Sequence, residues 1–245
     1  MKIVGIIPAR YGSQRFPGKP LALLASRPMI QHVYLAAKRS PVLEELVVAT
    51  DDERIKEAVE EIGGRALMTS PEHSCGTERI AEAADILRLS EDDIVVNIQG
   101  DQPLLEPAAL EELVRPLLLR GDVLMATLAV PIEREEEKAD PNRVKVVLDR
   151  EGFALYFSRA PIPYHRPPGE SPTYLRHLGL YAYRRDFLDV FVRLEPSPLE
   201  KAEKLEQLRA LEYGYRIAVS ITKYDCPEVD TPEDLKRVEE ILSQK

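Results

Sequence analysis

Three cations share one short segment. Arg10, Arg15 and Lys19 lie within Pro8-Ala9-Arg10-Tyr11-Gly12-Ser13-Gln14-Arg15-Phe16-Pro17-Gly18-Lys19-Pro20, directly after the apolar run Ile3–Ile7. Backbone N–H groups in a glycine-containing loop that leaves a buried strand lack partners and suit phosphate oxygens. A chain of net charge −9 that gathers cations there is prepared for a polyanion such as a triphosphate. Two familiar phosphate loops fail on spacing. Gly5, Gly12 and Gly18 do not make the dinucleotide fingerprint, and Pro20 stands where a P-loop needs its Ser or Thr. Two carboxylates occupy comparable positions. Asp101 follows the run Ile94–Ile98 and Gly100, while Asp230 immediately precedes the last helical pattern. Asp230 alone reads equally well as a helix cap. Two hard oxygen donors near three cations describe a magnesium–nucleotide site, because magnesium takes one or two carboxylates and completes its shell with phosphates and water.

The elements that must position these residues alternate along the chain. The spacing predicts strands at Ile3–Ile7, Leu46–Ala49 and Ile94–Ile98, each a continuous apolar run of the kind buried on both faces of a parallel sheet. Between them it predicts helices over Met29–Lys38, Glu53–Glu61 and Thr77–Leu87, the last with Thr77 as N-cap. Beyond Pro131 the pattern loosens. Val144–Leu148 and Ala154–Phe157 flank the hairpin-like Asp149-Arg150-Glu151-Gly152, and Leu178–Tyr183 reads as a further strand. Helices follow at Asp186–Leu194 and Leu199–Tyr213, then a strand at Ile217–Ile221. A final helix opens on Thr231-Pro232-Glu233-Asp234, with Leu235, Val238 and Leu242 as its buried stripe. The fold class is therefore α/β, a doubly wound, mostly parallel sheet with ligands expected beyond its carboxyl edge. The Pro-rich stretch Pro161–Pro172 reads as a mobile loop, and Glu133–Lys138 as a solvated helical face.

Composition narrows the class of function. With 33 Lys and Arg against 42 Asp and Glu, a protein that coats nucleic acid is excluded. No apolar run reaches the ~20 residues of a membrane span. Cys75 and Cys226 are too few for a disulfide framework and suit a reducing compartment. The opening apolar run is cut off by Pro8 and Arg10, too early for a signal peptide, so the expected location is cytoplasmic.

The segment Ile7–Pro20 resembles the opening of the 3-deoxy-manno-octulosonate (Kdo) cytidylyltransferases, or CMP-Kdo synthetases. The resemblance continues through Val48–Asp51, Gly76–Arg79, Asn97–Asp101, Val144–Asp149, Tyr156–Ala160, Arg176–Gly179, Leu205–Arg209 and Val229–Asp234, in family order over nearly the whole chain. It implies a single nucleotidyltransferase domain over 1–245, with 1–131 the CTP-binding half, about 144–215 a sugar-acid and dimerisation subregion, and 216–245 a closing strand and helix. The implied reaction is CTP + Kdo → CMP-Kdo + pyrophosphate, for lipopolysaccharide synthesis, with Mg²⁺ as cofactor and a homodimer as the assembly. Carried over by position, Asp101 and Asp230 are the metal carboxylates, and Arg10, Arg15 and Lys19 face the triphosphate. Ala9, Ser13, Cys75, Gly76, Thr77 and Arg79 belong to the nucleotide site; Gln99, Arg159, His177, Tyr181, Glu206 and Gln207 belong to the sugar-acid pocket. Within that pocket Arg159 would hold the Kdo carboxylate, and His177 would be a sugar contact rather than a base.

Two departures stand out. Cys75 occupies a position where many members have Ser, which puts a hydroxyl contact to the nucleotide there in question, and no Gly precedes Val229-Asp230. Rival readings are another sugar-acid cytidylyltransferase, such as one activating sialic acid, and a catalytically silent nucleotide-binding regulator. A dehydrogenase fails on its missing fingerprint.

Overall fold

The computed structural model describes residues 1–12 and 16–243. Its elements in chain order are β1 (Ile3–Ala9), α1 (Met29–Lys38), β2 (Glu45–Thr50), α2 (Glu53–Glu60), β3 (Ala66–Met68), α3 (Gly76–Ile86), β4 (Ile94–Asn97) and α4 (Pro107–Leu119). They continue as β5 (Met125–Pro131), α5 (Glu135–Ala139), β6 (Lys145–Leu148), β7 (Ala154–Ser158), β8 (Leu175–Arg184), α6 (Arg185–Arg193), α7 (Pro198–Glu203), α8 (Gln207–Glu212), β9 (Ile217–Ile221) and α9 (Pro232–Ser243). Among the described residues no helix is long and apolar enough to cross a membrane.

Among the described residues these nine strands form one sheet in the order β9-β5-β8-β4-β1-β2-β3, with β6 pairing to β8 and β7, and the short segments Leu23–Leu24 and Arg27–Pro28 pair as a separate antiparallel ribbon. β1 runs parallel to both β4 and β2, in register Ile6↔Asn97 and Ile6↔Val47, so their carboxyl ends stop at one edge of the sheet. Side chains pack closely over Gly5 of β1, where a Cβ would stand 2.8 Å from a Leu46 methyl. β8 is antiparallel to β4 and β5. Tyr181 pairs with Asn97, and the ladder to β5 shifts between His177 and Tyr181. That bulge carries the start of β8 past the carboxyl end of β4. It also re-aims His177 and Gly179, which a regular ladder would hold in strict alternation.

Helices cover both faces, as continuous apolar strands require. α1, α2 and α4 bury Ile30, Val33, Ile55, Val59, Leu110 and Leu113 on one side. α3, α6 and α8 bury Ile80, Ala84, Phe187, Phe191 and Leu208 on the other. A satellite cluster of Leu24, Met29, Leu104, Val229 and Val238 seats α9.

Three expectations need correction. Thr77 is not the cap of α3: Cys75 holds that place, and Thr77 lies within the first turn, buried. The helix expected over Leu199–Tyr213 is two, because Lys204 turns left-handed at φ 55° and drops Leu205 into the core. On α9 only Val238 is fully buried, while Leu235 and Leu242 pack at the margin of the satellite cluster. The sequence reading also missed β5 and α4; Pro116 lies inside α4 and masks its helical pattern. The capping box of α9 forms as read, with Asp234 Oδ2 accepting from the Thr231 amide and hydroxyl at 3.0 and 2.9 Å.

Candidate active site

The chain leaves β1 into the cationic loop and returns through a tight clasp. Gly18 donates its N–H to the Tyr11 carbonyl at 3.0 Å and adopts φ 72°, a conformation glycine accepts without strain. The Tyr11 ring packs over Gly18, where a Cβ would lie 3.1 Å from it, and the Arg54 guanidinium covers the same ring at 3.6 Å from its centroid. Lys19 then begins a single turn of 3₁₀ helix and sends its ammonium to two acids. It donates to Asp101 Oδ2 at 2.7 Å and to Asp230 Oδ1 at 3.2 Å. Burial lowers the Lys19 pKa, but the two carboxylates outweigh it and hold the ammonium above its ordinary value. The loop bearing Asp230 is tied to the same point by the Val229 amide, which donates to the Asp101 carbonyl at 2.9 Å.

Two cavities meet at this trio. The first, about 480 Å³, is lined by Ala9, Arg10, Lys19, Cys75, Gly76, Arg79, Gln99, Asp101 and Asp230, together with His73. The second, about 310 Å³, is lined by Gln99, Asp101, Arg159, His177, Tyr181, Glu206, Gln207 and Asp230, with Asn142 and Glu228. Of the residues assigned from sequence to the nucleotide, Ala9, Arg10, Lys19, Cys75, Gly76 and Arg79 line the first, and all six assigned to the sugar acid line the second. Gln99, Asp101 and Asp230 belong to both walls. A larger hollow of about 730 Å³ lies elsewhere, where Arg134, Arg176 and Lys223 face Glu133, Glu137 and Asp225. Its charges neutralise one another, and it holds none of the residues singled out for chemistry.

Some assignments change in detail. Ser13 and Arg15 lie outside the described residues. Thr77 is 3% exposed and lines neither cavity, and its hydroxyl donates to Glu206 Oε2 at 2.6 Å. Arg79 reaches the first cavity's wall, but its guanidinium is engaged by Asp51 at 2.8 Å, Thr69 Oγ1 at 2.6 Å and the Ser70 carbonyl at 3.2 Å. It therefore braces the segment before α3. Arg159 donates to the carbonyls of Glu203, Pro141 and Lys204 at 2.6, 2.9 and 3.3 Å. A guanidinium has five N–H donors, so its charge and remaining donors are available to an anion in the second cavity.

Electrostatics separate the roles further. Burial, aided by Arg176, pushes His177 down to about 3, so its ring is neutral near pH 7 and is no imidazolium acid. Its Nε2 lies 2.9 Å from Thr127 Oγ1, and its ring meets Tyr181 at 5.3 Å between centroids. Burial and the nearby Glu206 push the Cys75 thiol up to about 12, which removes it as a nucleophile. Glu206 and Gln207 line the second cavity, and Glu206 Oε1 and Gln207 Nε2 are buried without a hydrogen-bond partner.

Glu228 and His73 were not found from sequence. Burial and the charges of Asp101 and Asp230 push the Glu228 carboxyl up to about 7. Its signal was the departure noted before Val229-Asp230, where Glu228 stands in place of a glycine. His73 Nε2 lies 2.5 Å from Glu82 Oε2, a contact made across a turn that no local pattern announces.

The donor set fits a magnesium ion. Asp101 and Asp230 converge on one ammonium, so both oxygens already face a single cation. Among the described residues no group of three or more His, Cys, Asp or Glu side chains could hold a metal. Two hard carboxylates are what magnesium asks of a protein when phosphates supply the other ligands.

Comparison with known proteins agrees with this geometry. A family model described as Cytidylyltransferase matches residues 4–217. A 3-deoxy-manno-octulosonate cytidylyltransferase of Syntrophus aciditrophicus is 56% identical over 241 residues, covering 98% of this chain and 97% of the relative. An 8-amino-3,8-dideoxy-manno-octulosonate cytidylyltransferase of Shewanella pealeana is 53% identical, covering 99% of each. A solved structure of CMP:2-keto-3-deoxy-manno-octonic acid synthetase complexed with CTP superimposes with a TM-score of 0.93 at 43% identity, over 100% of this chain and 99% of that one.

Proposed function

This chain belongs to the Kdo cytidylyltransferase family, and from that premise we propose that it transfers CMP from CTP to Kdo, releasing pyrophosphate. The observation that carries the reading is the pair of cavities sharing one wall at Asp101 and Asp230. A nucleotide in the first and a sugar acid in the second meet where the metal carboxylates stand. The attacking anomeric hydroxyl and the α-phosphorus are thereby brought together, and positioning of this kind supplies much of the rate in phosphoryl-type transfers.

Arg10 and Lys19 stabilise the phosphate charge in the first cavity. Were Asp101 and Asp230 to hold a metal, Lys19 would have phosphate oxygens in that cavity as alternative partners. When bound at Asp101 and Asp230, magnesium supplies neutralisation of the phosphates and a lowered pKa for the attacking hydroxyl. In the second cavity Arg159 receives the sugar carboxylate, while Glu206, Gln207 and neutral His177 orient hydroxyls. The bond from the sugar oxygen to the α-phosphorus forms as the bond to pyrophosphate breaks.

An 8-amino variant of the sugar acid is the second reading. It is favoured by two carboxylates, Glu206 and Glu228, on the wall of the second cavity, and by the name of the Shewanella relative. A homodimer formed through the middle strands and helices also belongs to the proposal, as does a cytoplasmic, lipopolysaccharide-directed role. β7 pairs within the sheet only with β6, and Leu155 on it is 61% exposed, an edge suited to a second copy. The test offers CTP and Mg²⁺ with Kdo, its 8-amino variant or sialic acid, and measures pyrophosphate release. Kdo or its 8-amino variant should be preferred; preference for the nine-carbon acid contradicts the reading.

A further inference from the structure

Polar side chains lie behind the wall that the two cavities share. Thr77 Oγ1 donates to Glu206 Oε2 at 2.6 Å. Gln99 Nε2 donates to Asn97 Oδ1 and to the Gly179 carbonyl, both at 3.1 Å. Gln99 lines both cavities, and Glu206 lines the second. Thr77 follows Gly76, which walls the first cavity, in the opening turn of α3.

Glu206 is held from one side. Oε2 accepts from Thr77, while Oε1 is buried without a hydrogen-bond partner, 3.9 Å from the Arg209 guanidinium, and the Cys75 thiol lies near the carboxylate. A carboxylate with one oxygen pinned keeps few orientations, so less ordering remains when a ligand enters the cavity that the residue lines. We propose that Thr77 is a positioning residue that couples the two substrates: it fixes Glu206 toward the sugar acid from the helix turn against which the nucleotide packs. Nucleotide in the first cavity steadies that turn and with it the Thr77 hydroxyl. The second cavity is then organised for its ligand before the ligand arrives. The proposal rests on reading the second cavity as the sugar-acid site.

Thr77→Val keeps the shape and removes the donor. Steady-state pyrophosphate release, measured with both substrates varied, should show the KM for Kdo rising about tenfold and the KM for CTP changing by less than about twofold. Thr77→Ser, which restores a hydroxyl, should bring the Kdo KM back to within about twofold of the parent. Adding Thr77→Val to Glu206→Gln should cost less than the product of the separate losses, because both act on one contact. A raised CTP KM with an unchanged Kdo KM would make Thr77 a nucleotide contact and overturn the proposal. Unchanged constants for both substrates, or failure of Thr77→Ser to restore the Kdo KM, would do the same. Should Thr77→Val not fold, the double variant is built from Thr77→Ala, with the same criterion. Absence of parent turnover with Kdo would instead overturn the substrate reading on which this rests.

Discussion

Lys19 stands between Asp101 and Asp230 with each contact at or below 3.2 Å, and this trio defines the chemistry of the site. Replacing Asp101 by Asn keeps the shape, removes one charge and leaves Lys19 paired to Asp230. Turnover should fall by on the order of a hundredfold or more, in the range found for removing one group that stabilises transition-state charge. Thermal unfolding should move by only a few degrees, so activity and melting curves measured together separate lost chemistry from lost fold. His177 makes a different prediction. Its folded pKa is depressed to about 3 from 6.5, so the unfolded chain binds the extra proton first. The stabilisation from keeping the ring neutral is complete above about pH 6.5, is lost as pH falls from there, and is gone below about pH 3. The slope from this one group approaches about 1.4 kcal/mol per pH unit. Urea unfolding of the parent and His177→Gln between about pH 4.5 and 7 checks it: the variant should lose less stability on acidification, and parallel curves would refute the assignment.

At the scale of elements, the site exists because three parallel strands end together and one antiparallel strand runs past them. The bulge between His177 and Tyr181 turns on Gly179, at φ 69°, where a Cβ would approach Glu228 Oε1 to 3.3 Å. Gly179→Ala should therefore cost about 1–2 kcal/mol of stability for the left-handed backbone and raise the KM for the sugar more than that for CTP. Denaturant unfolding and substrate-varied kinetics test the two halves; an equal rise in both KM values would place the strain elsewhere. Legibility from sequence divides along the same line. The strands β1, β2 and β4 were readable because a strand buried on both faces is written as an unbroken apolar run. Arg10 and Asp101 were readable as candidates because each sits just beyond such a run, Lys19 because it shares the loop that follows β1, and Asp230 because it immediately precedes the last helical pattern. Glu228, His73 and the true partner of Thr77 were not, since their meaning lies in contacts such as Thr77–Glu206, which span 129 positions and leave no local pattern. The break at Lys204 was hidden for the opposite reason: α7 and α8 share one helical periodicity, and only tertiary packing of Leu205 separates them.

For the whole molecule, the net charge of −9 and the local cations act at different ranges. The average field repels a triphosphate, whereas Arg10 and Lys19 attract it within the first cavity. Fields beyond about 8–10 Å are screened at ordinary ionic strength, so the local term governs binding. The KM for CTP should accordingly rise with salt over about 0.05 to 0.5 M, and a fall would mean that the global repulsion dominates. Assembly belongs to the same scale. For the homodimer proposed through the open edge of β7, Leu155→Glu should shift sedimentation of the parent dimer toward monomer, while a monomeric parent or an unchanged profile would contradict that interface. The central claim is that CTP and Kdo react across the wall formed by Asp101 and Asp230. The most direct measurement is pyrophosphate release from CTP and Kdo with Mg²⁺, for the parent and for Asp101→Asn. Release that needs the sugar acid and the metal, and collapses in the variant, is the predicted result; release indifferent to Kdo, or undiminished in Asp101→Asn, would contradict the account.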